Sequence, residues 1–313
     1  MRIVLYRDLS AAQLAALKAD FPDCEFRVVT DPVALAEQLD WPEIVFGNAP
    51  VSLLRQAAGL RWVQIVSSGL DEYTPLKDNG VTVTTGQGLH APIIARHVLM
   101  MILLFTRSQW YFDRCQRAHK WDRRPLLPKP AAGQTIGLVG FGNVGHELVP
   151  LVRPLGFRVV GVRRQSGGSV PPGVDRIDGI TELDRVLAES DHVVLSLPLT
   201  PETRGLLDAA RFARFKPGAI FHNIARGGLI DEAALLANLQ SGHLGGAALD
   251  VFDREPLADQ SPFWDLPNVL ITPHIAGHDR DLGVQMLHRF RENLRAYLTG
   301  RPVAPVANFA RGY

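Results

Sequence analysis

The sequence contains very little cysteine. Its 313 residues include only Cys24 and Cys115, which are far apart and match no metal-ligand spacing. A disulfide framework is therefore not expected, and neither is a metal site built from cysteine ligands. Unpaired thiols are typical of a reducing compartment, so we expect a cytoplasmic protein without a bound metal.

Two further absences narrow the class of protein. Lys and Arg number 33 while Asp and Glu number 32, so no excess of positive charge indicates nucleic-acid binding. The longest apolar run, at 98–105, lies between Arg96 and Arg107 and is too short to span a bilayer. We therefore expect neither a nucleic-acid partner nor a membrane partner.

The chain does contain a regular alternation of strand-like and helix-like segments. Runs rich in Val and Ile are followed by segments with helical spacing, and Ser10 is a candidate N-cap of the first helix. This alternation predicts parallel sheets covered by helices. A proline-containing segment at 123–133 separates two such series, and one long helix is expected between Ala91 and His119. The expected strands include 3–6, 26–30, 43–47, 61–68, 81–85, 158–162, 192–198, 219–225, 246–252 and 269–273.

The second series opens with a glycine motif. Residues 136–145 read IGLVGFGNVG, which places G-x-G-x-x-G between a strand-like run and the start of a helix. Gly140 permits a tight turn, Gly142 leaves room for a pyrophosphate, and Gly145 lets helix and strand pack closely. The free N–H groups at the start of the helix favour phosphate. The pattern predicts a dinucleotide cofactor, and a plain structural turn is the alternative.

The segment after the next strand indicates which dinucleotide is preferred. An acid there would bind the ribose 2′-OH of NAD, but strand 158–162 is followed by Arg163, Arg164, Gln165 and Ser166. Guanidinium groups and a hydroxyl bind a 2′-phosphate, which an acid would repel. We therefore predict a preference for NADPH, with NAD as the alternative cofactor. A solvated basic turn is the structural alternative.

Three later segments resemble those of one enzyme family. They read NIARGGLID at 223–231, ALDVFDREPL at 248–257 and LPNVLITPHIAGH at 266–278. Together with the glycine motif, and with VSSGLDEY at 66–73, they resemble the D-isomer-specific 2-hydroxyacid dehydrogenases over most of the chain. The basic turn makes the chain most similar to the glyoxylate/hydroxypyruvate reductases of that family.

The resemblance implies a topology that periodicity leaves open. Members have two Rossmann-like, doubly wound parallel-sheet α/β domains, with the cofactor domain inserted into a discontinuous substrate domain. We expect the substrate (catalytic) domain at 1–98 and 284–313, and the NAD(P)-binding domain at 99–283.

A homodimer is also expected. Family members are typically dimers through the cofactor domain, although Arg96 stands where many members carry Glu. One domain would not readily bury the aromatic and apolar side chains near the expected long helix, and an apolar patch of that size usually marks an interface. These side chains are Met100, Met101, Phe105, Trp110, Tyr111, Phe112 and Trp121.

The resemblance further implies a catalytic set of Arg226, Glu255 and His274, of which Arg226 and His274 also bind substrate. The chemistry of 2-oxo acid reduction agrees, because a guanidinium is a forked donor for carboxylate and carbonyl oxygens. Imidazole is a suitable proton donor near neutral pH, and a carboxylate on its other nitrogen orients the ring. Taken singly, each residue also has an ordinary structural interpretation.

Other site residues follow from the same resemblance. Ser68 and Gly69 lie in the loop whose N–H groups hold the substrate carboxylate in the family. Asn48 is a candidate contact of the substrate's variable end, with a plain turn as the alternative. Asp250 matches the aspartate that binds the nicotinamide carboxamide. The remaining expected cofactor contacts are Asn143, Val144, Pro198, Thr203, Ala225 and Gly277.

Together these features predict an NADPH-preferring reductase of a small 2-oxo acid, of the glyoxylate or hydroxypyruvate type. One alternative is an NAD-linked dehydrogenase of the lactate or phosphoglycerate type, although FGNAP and SSGLDEY add no basic residue for a phosphorylated substrate. A second alternative is a dinucleotide-sensing, corepressor-like binding protein on the same fold. The intact Arg226, Glu255 and His274 argue against it. His278 is interpreted as a loop residue.

Overall fold

The computed structural model describes residues 1–122, 129–165, 167 and 169–313. The chain divides into two compact units. Unit 1 comprises Met1–His90 and Asp279–Tyr313, and unit 2 comprises Ala91–His278, so unit 2 is inserted into unit 1. The predicted fold class is confirmed.

The boundaries of the units differ from the expected ones. The first boundary precedes Ala91 rather than residue 99, because α4 (Ala91–Thr106) is one unbroken helix that a cut at 98/99 would divide. The second precedes Asp279 rather than residue 284. The carboxylate of Asp279 accepts the N–H groups of Asp281 and Leu282, at 3.0 and 2.7 Å, and therefore belongs with the helix that follows.

Unit 1 contains a sheet of five parallel strands in the order β2-β1-β3-β4-β5. The order reverses between β1 and β3, because β2 lies on one side of β1 while β3, β4 and β5 follow on the other side. Residues of β1, β3 and β4 are almost all buried, because helices cover the sheet. The strands are β1 (Arg2–Leu5), β2 (Glu25–Val28), β3 (Ile44–Phe46), β4 (Trp62–Gln64) and β5 (Thr82–Thr84).

The helices of unit 1 are α1 (Ala11–Asp20), α2 (Pro32–Ala36), α3 (Val51–Leu54) and α10 (Leu282–Leu298). The expected N-cap of α1 is confirmed, since Ser10 and Gln13 form a reciprocal capping box. Helix α10 matches the helical periodicity of the C-terminal segment and buries Phe290, whose ring stacks on that of Phe46 at 4.3 Å.

Unit 2 contains seven parallel strands in the order β12-β11-β10-β9-β6-β7-β8. Its order reverses between β6 and β9. Strand β8 was not expected, because its sequence RIDG lacks the apolar run by which the other strands are recognised. The strands are β6 (Thr135–Val139), β7 (Arg158–Arg163), β8 (Arg176–Gly179), β9 (His192–Leu195), β10 (Ile220–Asn223), β11 (Gly246–Leu249) and β12 (Val269–Ile271).

The unit 2 sheet has an apolar core on each face. One core includes residues of α4 and α6, and the other includes residues of α7, α8 and α9. Besides α4, the helices are α5 (Gln109–Arg117), α6 (Asn143–Val152), α7 (Leu183–Glu189), α8 (Ala209–Phe212) and α9 (Glu232–Gln240).

The expectation of one helix from Ala91 to His119 is wrong. Ser108 adopts a left-handed conformation with φ of 54°, and α4 and α5 meet at an angle of 69°. Among the described residues no single helix is long and apolar enough to cross a membrane. Helices α4 and α5 are long and apolar enough only when they are taken together, and they are bent relative to each other.

Candidate active site

The glycine motif lies where the strand order of the unit 2 sheet reverses, directly after β6. Gly140 has a φ of 99°, and a Cβ on it would lie 2.2 Å from the carbonyl oxygen of Ser196, which follows β9. Its N–H donates to the carbonyl of Val162 at the end of β7. Only glycine fits at this position, and the loop is fixed to the ends of two neighbouring strands.

A dinucleotide pyrophosphate fits the next turn of this loop. A Cβ on Gly142 would meet no other atom within 4 Å, so the chain leaves open space there. Gly142 is the N-cap of α6, and no side chain caps that helix. The first N–H groups of the helix, at Asn143 and Val144, have no partner within the helix. Phosphate groups bind where free backbone N–H groups and open space occur together, as at this helix start.

The basic turn after β7 lies beside the same loop. Arg163 donates from Nε to the carbonyl of Phe141 at 3.4 Å, and its guanidinium carbon lies 5.1 Å from the centre of the Phe141 ring. Arg164 is exposed. The acid on the adjacent strand, Asp178, is buried and already paired with Arg176 and Arg185. Ser166 lies outside the described residues.

The loop that carries Arg226 begins where β10 ends. Asn223 is fully buried at the last position of β10, and its side chain accepts the N–H of Ala225 and donates to the carbonyl of Arg226, both at 3.1 Å. Arg226 itself donates from Nη1 to the carbonyl of Ala225 at 2.7 Å and is half-buried. Asn223 was missed in the sequence, where a polar residue closing an apolar strand was the available signal.

His274 and Glu255 are brought together across two loops. Nδ1 of His274 lies 2.7 Å from Oε2 of Glu255, and the other carboxylate oxygen accepts the N–H of Phe252 at 3.0 Å. The carboxylate is therefore held at both oxygens. Because the Glu255 carboxylate accepts a hydrogen bond from Nδ1 of His274, Nε2 is the imidazole nitrogen that is left to contact a substrate.

The loop of His274 is held by Asp250. The backbone of His274 is in the left-handed region, with φ of 52°, and its N–H donates to the Asp250 carbonyl at 2.8 Å. The buried Asp250 carboxylate accepts the N–H groups of Ile275 and Ala276, both at 2.9 Å, and the hydroxyl of Thr272 at 2.6 Å. Asp250 thus fixes the loop that presents the imidazole. Its expected contact with a nicotinamide stays a prediction.

The site thus brings a guanidinium, an imidazole and a carboxylate onto adjoining loops beside an open helix start. These are the kinds of group that reduction of a carbonyl by a nicotinamide cofactor requires. A family model for the D-isomer specific 2-hydroxyacid dehydrogenase, NAD binding domain, matches residues 99–276, which is more than half of the chain. The chain belongs to this dehydrogenase family. Like the family's members, it is an NAD(P)-dependent oxidoreductase.

Three relatives illustrate the similarity of this dehydrogenase. It is 28% identical to the glycerate dehydrogenase of Methylorubrum extorquens, covering 96% of this chain and 97% of that protein. It is 30% identical to the D-3-phosphoglycerate dehydrogenase of Archaeoglobus fulgidus over 82% of this chain, but it spans only 49% of that relative's length. The Sinorhizobium meliloti NADPH-dependent glyoxylate/hydroxypyruvate reductase, solved with NADP and sulfate, has a TM-score of 0.86 and 31% identity, covering 100% of this chain and 99% of that chain. The resemblance to these reductases is confirmed.

The expected substrate loop of the dehydrogenase lies in unit 1, after β4. Asn48 is exposed, and its expected contact with a substrate stays a prediction. Its Oδ1 accepts the N–H groups of Val66 and Ser67, at 2.8 and 3.4 Å, so Asn48 shapes the loop. Ser68 and Gly69 follow and are half-buried.

The remaining expected site residues lie on loops of unit 2. The Thr203 hydroxyl donates to the carbonyl of Pro198 at 2.7 Å and accepts the N–H of Thr200 at 2.8 Å, so it fixes the loop after β9. Gly277 is half-buried in the loop after His274, and His278 is exposed. Among the described residues, no cluster of three or more His, Cys, Asp or Glu side chains is arranged to hold a metal ion.

Proposed function

We propose that this protein is an NADPH-preferring reductase that converts a small 2-oxo acid, of the glyoxylate or hydroxypyruvate type, into the D-2-hydroxy acid. The observation that carries the proposal is the 2.7 Å contact between His274 Nδ1 and Glu255 Oε2. It orients an imidazole as a proton donor on a loop that Asp250 holds in place.

In the proposed reaction each residue has a separate task. The loops of Gly142, Val144 and Asp250 would hold a nicotinamide cofactor, which would supply the hydride that reduces C2 of the oxo acid. His274 donates the proton from Nε2 to the carbonyl oxygen, and Glu255 stabilises the imidazolium through Nδ1. Arg226 donates to the carboxylate and to the oxygen on which negative charge develops. In unit 1, we propose that the N–H groups of Ser68 and Gly69 bind the oxo-acid carboxylate.

The cofactor preference is proposed from the basic turn. Arg163 lies against Phe141 within the glycine motif, and Arg164 is exposed beside it. The NADP complex of the similar Sinorhizobium meliloti reductase supports this preference. The proposed pocket also includes Gly140, Gly142, Asn143, Val144, Gly145, Ser166, Pro198, Thr203, Ala225, Asp250 and Gly277.

We also propose that the protein is a homodimer. Trp121, which follows α5, is 97% exposed, and Met100 on α4 is 43% exposed. The expectation that one domain would not bury the apolar side chains of this region is wrong for Met101 and Phe105, which pack against Ala248 in unit 2. Met100 and Trp121 stay exposed and support an interface there. Light scattering at micromolar protein should give twice the chain mass of 34.4 kDa, and the mass of one chain would contradict the proposal.

The function is tested by steady-state kinetics. Glyoxylate, hydroxypyruvate, pyruvate and phenylpyruvate are each reduced with NADPH and with NADH. The D configuration of the three chiral products is checked by chiral chromatography, since glyoxylate gives achiral glycolate. The proposal expects the highest kcat/KM with NADPH and either glyoxylate or hydroxypyruvate. Binding of NADPH without reduction of any oxo acid would instead support a dinucleotide-sensing protein.

A further inference from the structure

One charged side chain in unit 1 has no partner to balance it. Arg7 follows β1, and its Nε and Nη1 atoms are buried without a hydrogen-bond partner. Among the described residues, no carboxylate forms an ion pair with it. Burial lowers the pKa of the Arg7 guanidinium. A guanidinium carries five N–H donors, and burying them without acceptors costs free energy.

The unpartnered guanidinium of Arg7 is nevertheless held in a defined place. Its central carbon lies 5.1 Å from the centre of the Phe46 ring, which stacks in turn on Phe290 with an angle of 3° between the planes. On another side, Nη2 lies 3.1 Å from the position that a Cβ on Gly283 would take. The stacked rings and Gly283 therefore fix the position of the Arg7 guanidinium, whose planar set of N–H donors can bind an anion.

The position of Arg7 in the sheet is that of a ligand site. The strand order β2-β1-β3-β4-β5 reverses between β1 and β3, and open α/β sheets bind ligands beyond the carboxyl ends of the strands at this reversal. Arg7 follows β1 there, and Gly47 and Asn48 follow β3. The N–H of Tyr6 donates to the carbonyl of Phe46, which joins the two strand ends.

The loop of Ser68 lies at the same edge of the sheet. β4 pairs with β3, and Asn48 accepts the N–H groups of Val66 and Ser67 just before Ser68 and Gly69. Arg7 thus belongs to the same set of loops as the residues proposed to bind the oxo-acid carboxylate. That carboxylate already has proposed donors, which leaves the Arg7 fork for a different anion.

We infer that Arg7 is a specificity-determining residue that binds a second oxyanion at the far end of the substrate. This inference rests on the proposed function and extends its substrate class from glyoxylate and hydroxypyruvate to 2-oxo acids that also carry a terminal carboxylate, sulfonate or phosphate. All three groups present two oxygens to a guanidinium fork and satisfy its buried donors. This role has no signature in the sequence, because Arg7 precedes Ser10 and the first helix and belongs to no motif.

The test compares substrates that differ only in the second anion. Hydroxypyruvate is paired with 3-phosphohydroxypyruvate, and pyruvate is paired with 3-sulfopyruvate and with oxaloacetate. With saturating NADPH, wild-type protein should show a higher kcat/KM for at least one charged member than for its uncharged partner. The preferred member identifies which oxyanion Arg7 takes. Higher kcat/KM for every uncharged partner would overturn the inference and leave the proposed reductase activity intact.

Variants then assign the preference to Arg7. In Arg7→Met, the ratio of kcat/KM for the charged to the uncharged member should fall roughly 10- to 100-fold, as for a lost charge-assisted contact. Arg7→Lys should restore part of the ratio, because it restores the charge without the fork. The matched control is Arg27→Met, since Arg27 also stacks on a ring, that of Trp41 at 3.8 Å, but on edge strand β2.

Two further outcomes are informative. If Arg7→Met lowers kcat/KM equally for a charged substrate and its uncharged partner, Arg7 has a structural role and the inference is overturned. If no oxo acid is reduced, the proposed function fails, and thermal unfolding with 3-phosphoglycerate against glycerate still tests Arg7. A larger stabilisation by 3-phosphoglycerate that disappears in Arg7→Met supports an oxyanion site, and equal stabilisation by both compounds contradicts it.

Discussion

Gly227 lies so close to Phe252 that a Cβ on Gly227 would come within 1.9 Å of the Phe252 carbonyl carbon. Gly227 directly follows Arg226, and the N–H of Phe252 holds the carboxylate of Glu255. The loop of the guanidinium and the loop of the carboxylate are therefore packed backbone to backbone. The relative placement of the two charged side chains depends on the absence of one methyl group.

Gly227→Ala should consequently displace both loops. We expect turnover to fall at least 10-fold, since small displacements of positioning groups are costly, and unfolding free energy to fall by about 1–3 kcal/mol from overpacking. Gly228→Ala is the matched control, because its Cβ would meet side-chain atoms rather than backbone: those of Arg204 at 3.1 Å, Leu199 at 3.3 Å and Asp253 at 3.5 Å. Equal kinetics for the two variants would contradict the importance of this contact.

His274→Ala should remove the proton donor without disturbing the glycine cradle. We expect kcat to fall roughly 10²- to 10⁴-fold, the usual worth of a positioned general acid, with little change in NADPH affinity measured by fluorescence. Glu255→Gln should lower kcat less, because an amide oxygen can still accept from Nδ1. His278→Ala is the control. A large loss in that variant and near-normal reduction by His274→Ala would identify His278 as the donor.

The fold was predictable where the pattern was simple. Apolar runs such as those of β6 and β9 identified strands, and Ser10 identified a helix start. The break at Ser108 was not predictable, because the residues on both sides continue a helical pattern and only the backbone angle of one residue ends it. Strand β8 is polar and is identified only by its pairing with β7.

The catalytic residues of the candidate site were predictable from the sequence, but most of the hydrogen bonds that hold their loops in place were not. His274 and Glu255 lie on segments that resemble a family, so their pairing followed from those segments. The hydrogen bonds of Asp250 and Asn48 to backbone N–H groups depend on how distant loops meet, which local sequence does not encode. Arg7 has no neighbouring motif, and only its burial without a partner distinguishes it.

Arg163→Asp should reverse the charge that we propose faces the 2′-phosphate of NADPH. We expect the ratio of kcat/KM for NADPH to that for NADH to fall roughly 10- to 100-fold, which corresponds to the loss of one charge-assisted contact. Arg158→Asp, at the opposite and exposed end of β7, is the control that should keep the ratio. Wild-type protein that uses both cofactors equally well would show that the basic turn is merely solvated.

A pair of buried histidines predicts how stability depends on pH. Nδ1 of His192 lies 3.0 Å from Nε2 of His222, and Nε2 of His192 lies 3.0 Å from the amide oxygen of Gln134. The Gln134 amide is oriented by its donation to the carbonyl of Pro130. His192 therefore carries its proton on Nε2, and so does His222, whose buried Nδ1 has no partner. A further proton on Nδ1 of His192 would remove the acceptor and break the hydrogen bond between the two rings, and a further proton on Nδ1 of His222 would be buried without an acceptor.

Burial lowers the pKa of His192 to about 4 and the pKa of His222 well below 6.5. Both rings stay neutral in the folded state, whereas in the unfolded chain they bind protons near pH 6.5. The two histidines therefore make their full contribution to the free energy of unfolding above pH 6.5. This contribution decreases as the pH falls from 6.5 towards 4. The loss is about 1.4 kcal/mol per pH unit for each histidine in that window.

The double variant His192→Leu, His222→Leu should therefore unfold with a weaker dependence on pH. Urea midpoints at pH 7.0, 6.0, 5.0 and 4.5 give the comparison, and the quantity of interest is their change with pH, because the substitutions also alter packing. Carboxylates such as Asp191, whose pKa is lowered, titrate in both proteins. Their contribution therefore cancels when the pH dependence of the double variant is subtracted from that of the wild type. His288→Gln on α10, where the side chain is exposed, should keep the wild-type dependence. Parallel curves for the wild type and the double variant would show that the buried pair does not take part in acid unfolding.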